Sequence, residues 1–136
     1  MPAGGGDAVV AAGVRALREG VPLLVMPEGR LHRDPDDPTT TGPAHRGVSR
    51  LAVGASTIVV TAALRGTDQV WPAAAKLPNL NPLRRRVVVV RVADEPLRLT
   101  GDDHEANAEA VMADIRRLIA VDLPGGPAPS AAVAAA

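Results

Sequence analysis

Trp71 is the only Phe, Tyr or Trp side chain among 136 residues. Any interior must therefore be assembled from Val, Leu, Ile, Ala and Met. Aromatic rings normally supply much of a core's buried area, whereas a fully buried aliphatic side chain contributes about 1.5–3 kcal/mol. Many aliphatics are needed to compensate. A chain of this length is one domain at most and can bury roughly two-thirds of its unfolded surface. The expectation is a thinly stabilised fold, or a piece of a larger one.

The aliphatics fall into short runs between helical patterns. Asp7 is a candidate N-cap for a helix to about Glu19, with Val10, Val14 and Leu17 on one stripe and Gly20 as its stop. Val21–Met26 is an apolar run with the look of a buried strand. From Pro27 to Pro43 the chain is rich in Pro, Gly, Asp and Thr and reads as a loop. A second helix is expected from about Ala44 to Gly54. A strand follows at Thr57–Leu64, rich in β-branched residues, and another at Arg86–Ala93 with four consecutive valines, Val87–Val90. Arg65 to Pro82 reads as irregular. A last amphipathic helix begins at Asp102 and runs to about Ala120, with Val111, Ile115, Leu118 and Ile119 inward. Helices alternating with short apolar strands predict an α/β layer fold with a small, mainly parallel sheet flanked by helices. The domain is expected over residues 7–122, followed by a low-complexity, disordered tail over 123–136.

Fifteen Lys and Arg residues balance fifteen Asp and Glu, so the basic footprint of a general nucleic-acid binder is missing. All the basic residues except Lys76 are Arg, which we read mainly as coding bias. Without Cys there are no disulfides or thiolate metal sites. The N-terminus lacks the pattern of a signal peptide. The longest mostly apolar stretch, Leu51–Leu64, is shorter than the ~20 residues of a membrane-spanning helix. Any lipid contact is expected to be peripheral.

Chemistry concentrates at Pro27-Glu28-Gly29-Arg30. In open α/β sheets ligands bind beyond the carboxyl ends of strands, and this corner directly follows Val21–Met26. Gly29 permits close backbone approach, Arg30 and Arg33 carry forked donors suited to phosphate, and Glu28 could orient them or hold a substrate hydroxyl. A plain strand-to-loop turn is the alternative. Arg84–Arg86 suit anionic headgroups or carrier phosphates, or else a solvated strand entry. Trp71 suits a membrane interface, or else a cap on the small-residue core. His45 and His104 read as surface residues.

The ordered set of segments resembles the C-terminal half of glycerolipid acyltransferases of the 1-acyl-glycerol-3-phosphate type. That family carries a Phe-Pro-Glu-Gly-Thr-Arg block, matched here by Met26 to Arg30 with Met for Phe and Arg for Thr. Arg46-Gly47-Val48-Ser49-Arg50-Leu51-Ala52 is similar to its basic-Gly-x-x-Arg-Leu-Ala helix. Ile58–Leu64 stands for its Val-Pro-Val strand, with Val60 and Ala62 replacing prolines. Val87–Val90, Glu95-Pro96 and the closing helix keep the family order, so the likeness spans roughly residues 8 to 120.

The resemblance implies a glycerol-3-phosphate acyltransferase-like fold and acyl transfer from acyl-CoA or acyl-carrier protein to a lysophosphatidate-like acceptor. Glu28, Gly29, Arg30 and Arg46 would form the acceptor-phosphate site, with no metal or other cofactor. The location it implies is cytoplasmic, on the inner face of the cell membrane. In the family a His-x-x-x-x-Asp block near the domain start supplies the general base for the acceptor hydroxyl. None of the 26 residues before Pro27 is His. The chain is therefore expected to be truncated and inactive as written, with no catalytic residue of its own. The alternative is a non-catalytic remnant retained for binding lipid, carrier protein or a full-length homologue. His32 and Asp37 match the dyad spacing but follow Pro-Glu-Gly instead of preceding it, and read as exposed loop residues. A nucleotide binder is disfavoured by the lack of a Gly-x-Gly-x-x-Gly or P-loop run. The acyltransferase reading requires the corner to follow a strand aligned with its neighbours and to face a cleft.

Overall fold

The computed structural model describes residues 5–29, 40–71, 76–78 and 87–121. Its element order is α1 (Gly5–Arg18), α2 (Gly47–Ala55), β1 (Ile58–Val59), β2 (Ala62–Arg65), α3 (Thr67–Val70), β3 (Val89–Val92), β4 (Leu97–Arg98) and α4 (His104–Ala120). The mixed α/β character agrees with the sequence pattern. The sheet does not.

Both strand pairings are antiparallel. β1 pairs with β4 in the register Ile58↔Arg98 and Val59↔Leu97, and β2 pairs with β3 from Ala62↔Val92 to Arg65↔Val89. Between them Val60 and Thr61 face Ala93–Pro96, and Ala93 N–H donates to Thr61 O at 2.9 Å. The two pairings thus form one irregular ribbon, kinked where the strands carry unequal numbers of residues. The expectation of a mainly parallel sheet is corrected on this point. Val21–Met26 forms no strand and pairs with nothing, so a parallel neighbour for the Ile58–Arg65 run is missing among the described residues. The expected strands at 57–64 and 86–93 survive as the shorter pieces β1, β2 and β3.

The helices follow the sequence more closely. α1 begins two residues before Asp7, which sits in its first turn and accepts from Arg50 at 2.8 Å instead of capping the helix. Gly20 stops it at φ +84°. At the crossing of α1 and α2, Leu51 and Val14 crowd the places where side chains on Gly13 and Gly54 would begin. α4 starts at His104 with Asp103 as its N-cap, the carboxylate accepting from Ala106 N–H at 2.9 Å. That satisfies one of the orphan donors of the first turn.

The core lies between α2, α4 and the inner face of the ribbon. Val48, Ala52, Leu99, Ala108 and Val111 are buried together, ringed by Ala44, Val53, Val59, Leu97 and Ile115. Met112, absent from the expected stripe, is fully buried, while Ile115, Leu118 and Ile119 are only partly covered. Trp71 is 52 % exposed. Thr61, buried on the inner face, donates to Asp114 of α4, which also accepts from Arg117 at 2.6 Å. Arg65 at the end of β2 donates to Ile119 O and Val121 O at 2.8 and 2.9 Å, satisfying carbonyls that α4 leaves open at its C-terminus. No described helix is long and apolar enough to cross a membrane.

Candidate functional site

Pro27–Gly29 forms a tight turn, with Gly29 N–H donating to Met26 O at 3.1 Å. Gly29 has φ +67°, a conformation that side chains disfavour, and a Cβ there would sit 2.9 Å from the His45 ring. Glycine is required twice over, by the backbone and by its neighbour. His45 N–H in turn donates to Pro27 O at 2.9 Å. Glu28 is half-buried, and its Oε2 accepts from Gly42 N–H at 2.7 Å. The corner is therefore clasped by residues 42–45, the segment that delivers the chain into α2.

Of the expected acceptor-phosphate residues, Glu28 and Gly29 lie in this clasp, and Arg46 immediately follows its His45 arm. Arg30 lies outside the described residues, as do His32, Arg33, Asp37, Arg84–Arg86 and the 123–136 tail. Arg46 is exposed and faces Glu105 of α4 at 3.6 Å. An exposed pair of this kind is worth about 0–1 kcal/mol, so it can yield to a better-placed anion. The electrostatics are mixed all the same. The Arg46 guanidinium is set against the Glu105 carboxylate, and Glu28 adds a second carboxylate at the corner.

Two features escaped the sequence reading. His45 is exposed, as expected, but its ring is the contact that excludes a side chain from position 29. Its place just before the Arg46-Gly47 block was the only available signal. His104 is half-buried, with Nδ1 2.9 Å from Ser49 Oγ. Ser49 is completely buried, so the pair has the composition of a nucleophile and base but no route for substrate. It joins α2 to α4. Nothing in the spacing of residues 49 and 104 could have revealed it.

A cleft of about 420 Å³ is lined by Ala93, Asp94, Glu95, Arg117, Leu118 and Val121, and includes none of the expected site residues. The corner also lacks a paired strand behind it. The requirement of a strand aligned with its neighbours is therefore not met. No group of three or more His, Cys, Asp or Glu residues suited to a metal ion occurs among the described residues. Comparison of the chain with family models, curated proteins and solved structures finds no match.

Proposed function

We propose that the chain is an acyltransferase-family domain whose Pro27–Gly29 corner, with Arg30 and Arg46, engages the phosphate of a lysophosphatidate-like acceptor. One observation carries the reading. The two blocks on which the sequence resemblance rests, Pro-Glu-Gly and Arg46-Gly47, are drawn together by the bonds from Gly42 to Glu28 and from His45 to Pro27. The sheet lends no support, because its strands are antiparallel and do not include Val21–Met26. In this reading Glu28 is a clasp that shapes the corner, and the guanidinium groups meet the phosphate. Acyl transfer from acyl-CoA or acyl-carrier protein needs a base for the acceptor hydroxyl, so this chain alone binds without turning over. Its place is at the cytoplasmic membrane face, in peripheral contact and without nucleic acid.

A non-catalytic binding remnant is the second reading. It is favoured by Glu28 being committed to Gly42 and by Arg46 lying beside Glu105.

Titration of the isotope-labelled protein with sn-glycerol 3-phosphate, followed by amide NMR, tests the site. Saturable shifts at Gly29 and Gly47 that exceed those caused by equal sulfate, and that weaken in Arg46→Ala, are expected. Equal responses to sulfate, or none, would remove the phosphate site. An acyl-CoA release assay tests what the two readings share, because turnover above background would contradict a chain that binds without a base for the acceptor hydroxyl.

A further inference from the structure

Val21–Met26 is the most exposed apolar run in the described chain. Leu24 is 90 % and Met26 69 % exposed, with Val21, Leu23 and Val25 about half as much. Among the described residues its backbone is anchored only at its ends. Val21 N–H donates to Ala16 O, Met26 O accepts from Gly29 N–H, and Pro27 O accepts from His45 N–H. Pro22 has no N–H. Between these anchors the N–H and C=O groups of Leu23, Leu24 and Val25 make no bond among the described residues. No residue of the run has positive φ, so strand geometry is within reach.

We propose that Val21–Met26 is a homodimerisation edge, pairing antiparallel with the same run of a second copy about a two-fold axis through Leu24. The partner follows from register. In an antiparallel pair, alternate opposing residues exchange two N–H···O bonds, and those between exchange none. With Leu24 opposite Leu24 of the other copy, Leu23 faces Val25 and Val25 faces Leu23 at bonded positions, giving four bonds. Pro22 then falls opposite Met26 at a non-bonded position, where its missing N–H costs nothing. The next bonded pair outward would need Val21 and Pro27. Val21 N–H is already bonded to Ala16 O, and Pro27 has no N–H and a carbonyl already taken by His45. The chain's own bonds thus leave free the groups that a two-fold pairing uses, and close off those beyond it.

Side chains fit the same register. Opposing residues point to one side, so the more exposed Leu24 and Met26 gather with Leu24, Met26 and Pro22 of the second copy. The more covered Leu23 and Val25 meet on the other side. An isologous contact needs this self-complementarity. No charged residue interrupts the run, so nothing at this edge opposes pairing of like strands.

Charge reversal at position 24 tests the register. The wild-type chain is expected to show a concentration-dependent, up to twofold, rise in mass by light scattering. Leu24→Lys and Leu24→Glu should each remain monomeric, since like charges directly opposite repel. Mixing the two variants should restore the doubled mass. Both variants should fold, because Leu24 is almost fully exposed. Val90→Lys, on the outer face of the ribbon, should leave the dimer intact. A wild-type monomer at all concentrations, a dimer that survives Leu24→Lys, a mixture that fails to reassociate, or loss of the dimer in Val90→Lys would each overturn the proposal.

Discussion

The ribbon has one face against the helices and one facing outward, and their composition runs against intuition. The inner face carries Val59, Thr61 and Ala63, with Leu97 and Arg91 opposite Val59 and Ala63, and is set on α2 and α4. The outer face carries Ile58, Val60, Ala62 and Leu64, with Val90 and Val92 opposite Leu64 and Ala62. Along Ile58–Leu64 the larger aliphatics lie outside. Small residues lie inside because a helix comes close there: Ala52, Ala63 and Ala108 are all nearly inaccessible. Burial at this contact is set by the closeness of two backbones, and the size of the side chain follows from it. An aliphatic run buried on one face only reads in sequence like one buried on both.

Substitutions on the two faces separate these roles. Met112→Ala removes the largest fully buried side chain and should lower unfolding free energy by about 2–5 kcal/mol in urea denaturation. A loss near zero would mean that α4 is not seated on the ribbon. Next comes Thr61→Val, which strips Asp114 of a buried hydroxyl donor and should cost about 1.5–3 kcal/mol at neutral pH.

That contribution has a pH signature. The Thr61 hydroxyl, followed by Arg117, holds the Asp114 carboxyl below its ordinary value, against an opposing effect of burial. A group whose folded pKa is depressed stabilises the fold above its unfolded pKa, and the benefit fades as pH falls towards the folded value. Wild type and Thr61→Val should therefore differ fully at pH 6 and converge in the acid range below about 3.9. A constant difference across that range would remove Asp114 from the account.

Asp103→Ala, which uncaps α4, should cost about 1 kcal/mol by thermal unfolding. The smallest effect belongs to the outer face. Val90→Thr, placed opposite Leu64, should change stability by no more than about 0.5 kcal/mol, as exposed substitutions do. A loss comparable to Met112→Ala would show that this face is covered in solution, and the contrast between the faces would collapse.

Helices were legible in the sequence because their signals are local. Asp7 and Gly20 bracket α1, and Asp102, one residue before the actual cap Asp103, marks α4 together with the periodic aliphatics. Strand existence was legible at Ile58–Arg65 and Val89–Val92, but their pairing was not. The apolar run at Val21–Met26 obeys the same local rule as those strands and yet finds no neighbour. Pairing direction depends on which segments meet across 24 to 40 residues, from Arg65↔Val89 to Ile58↔Arg98, and no periodicity encodes that. The antiparallel ribbon belongs to this non-local class, whereas Met112, three residues before Ile115, fits the helical stripe and could have been read from it. At the corner, Pro27, Glu28 and Gly29 were legible by residue type, because a glycine with φ +67° and a carboxylate beside it leave a compositional trace. The clasp by Gly42 and His45 left none, since it joins residues fourteen and eighteen positions apart.

That clasp has an evolutionary consequence. Because the bond between Glu28 and Gly42 and the bond between Pro27 and His45 fix both ends of the intervening stretch, the corner's geometry is insulated from the length of what lies between. Insertions and deletions between Gly29 and Gly42 are therefore the cheapest way for a lineage to remodel the neighbourhood of the corner while leaving the corner itself unchanged.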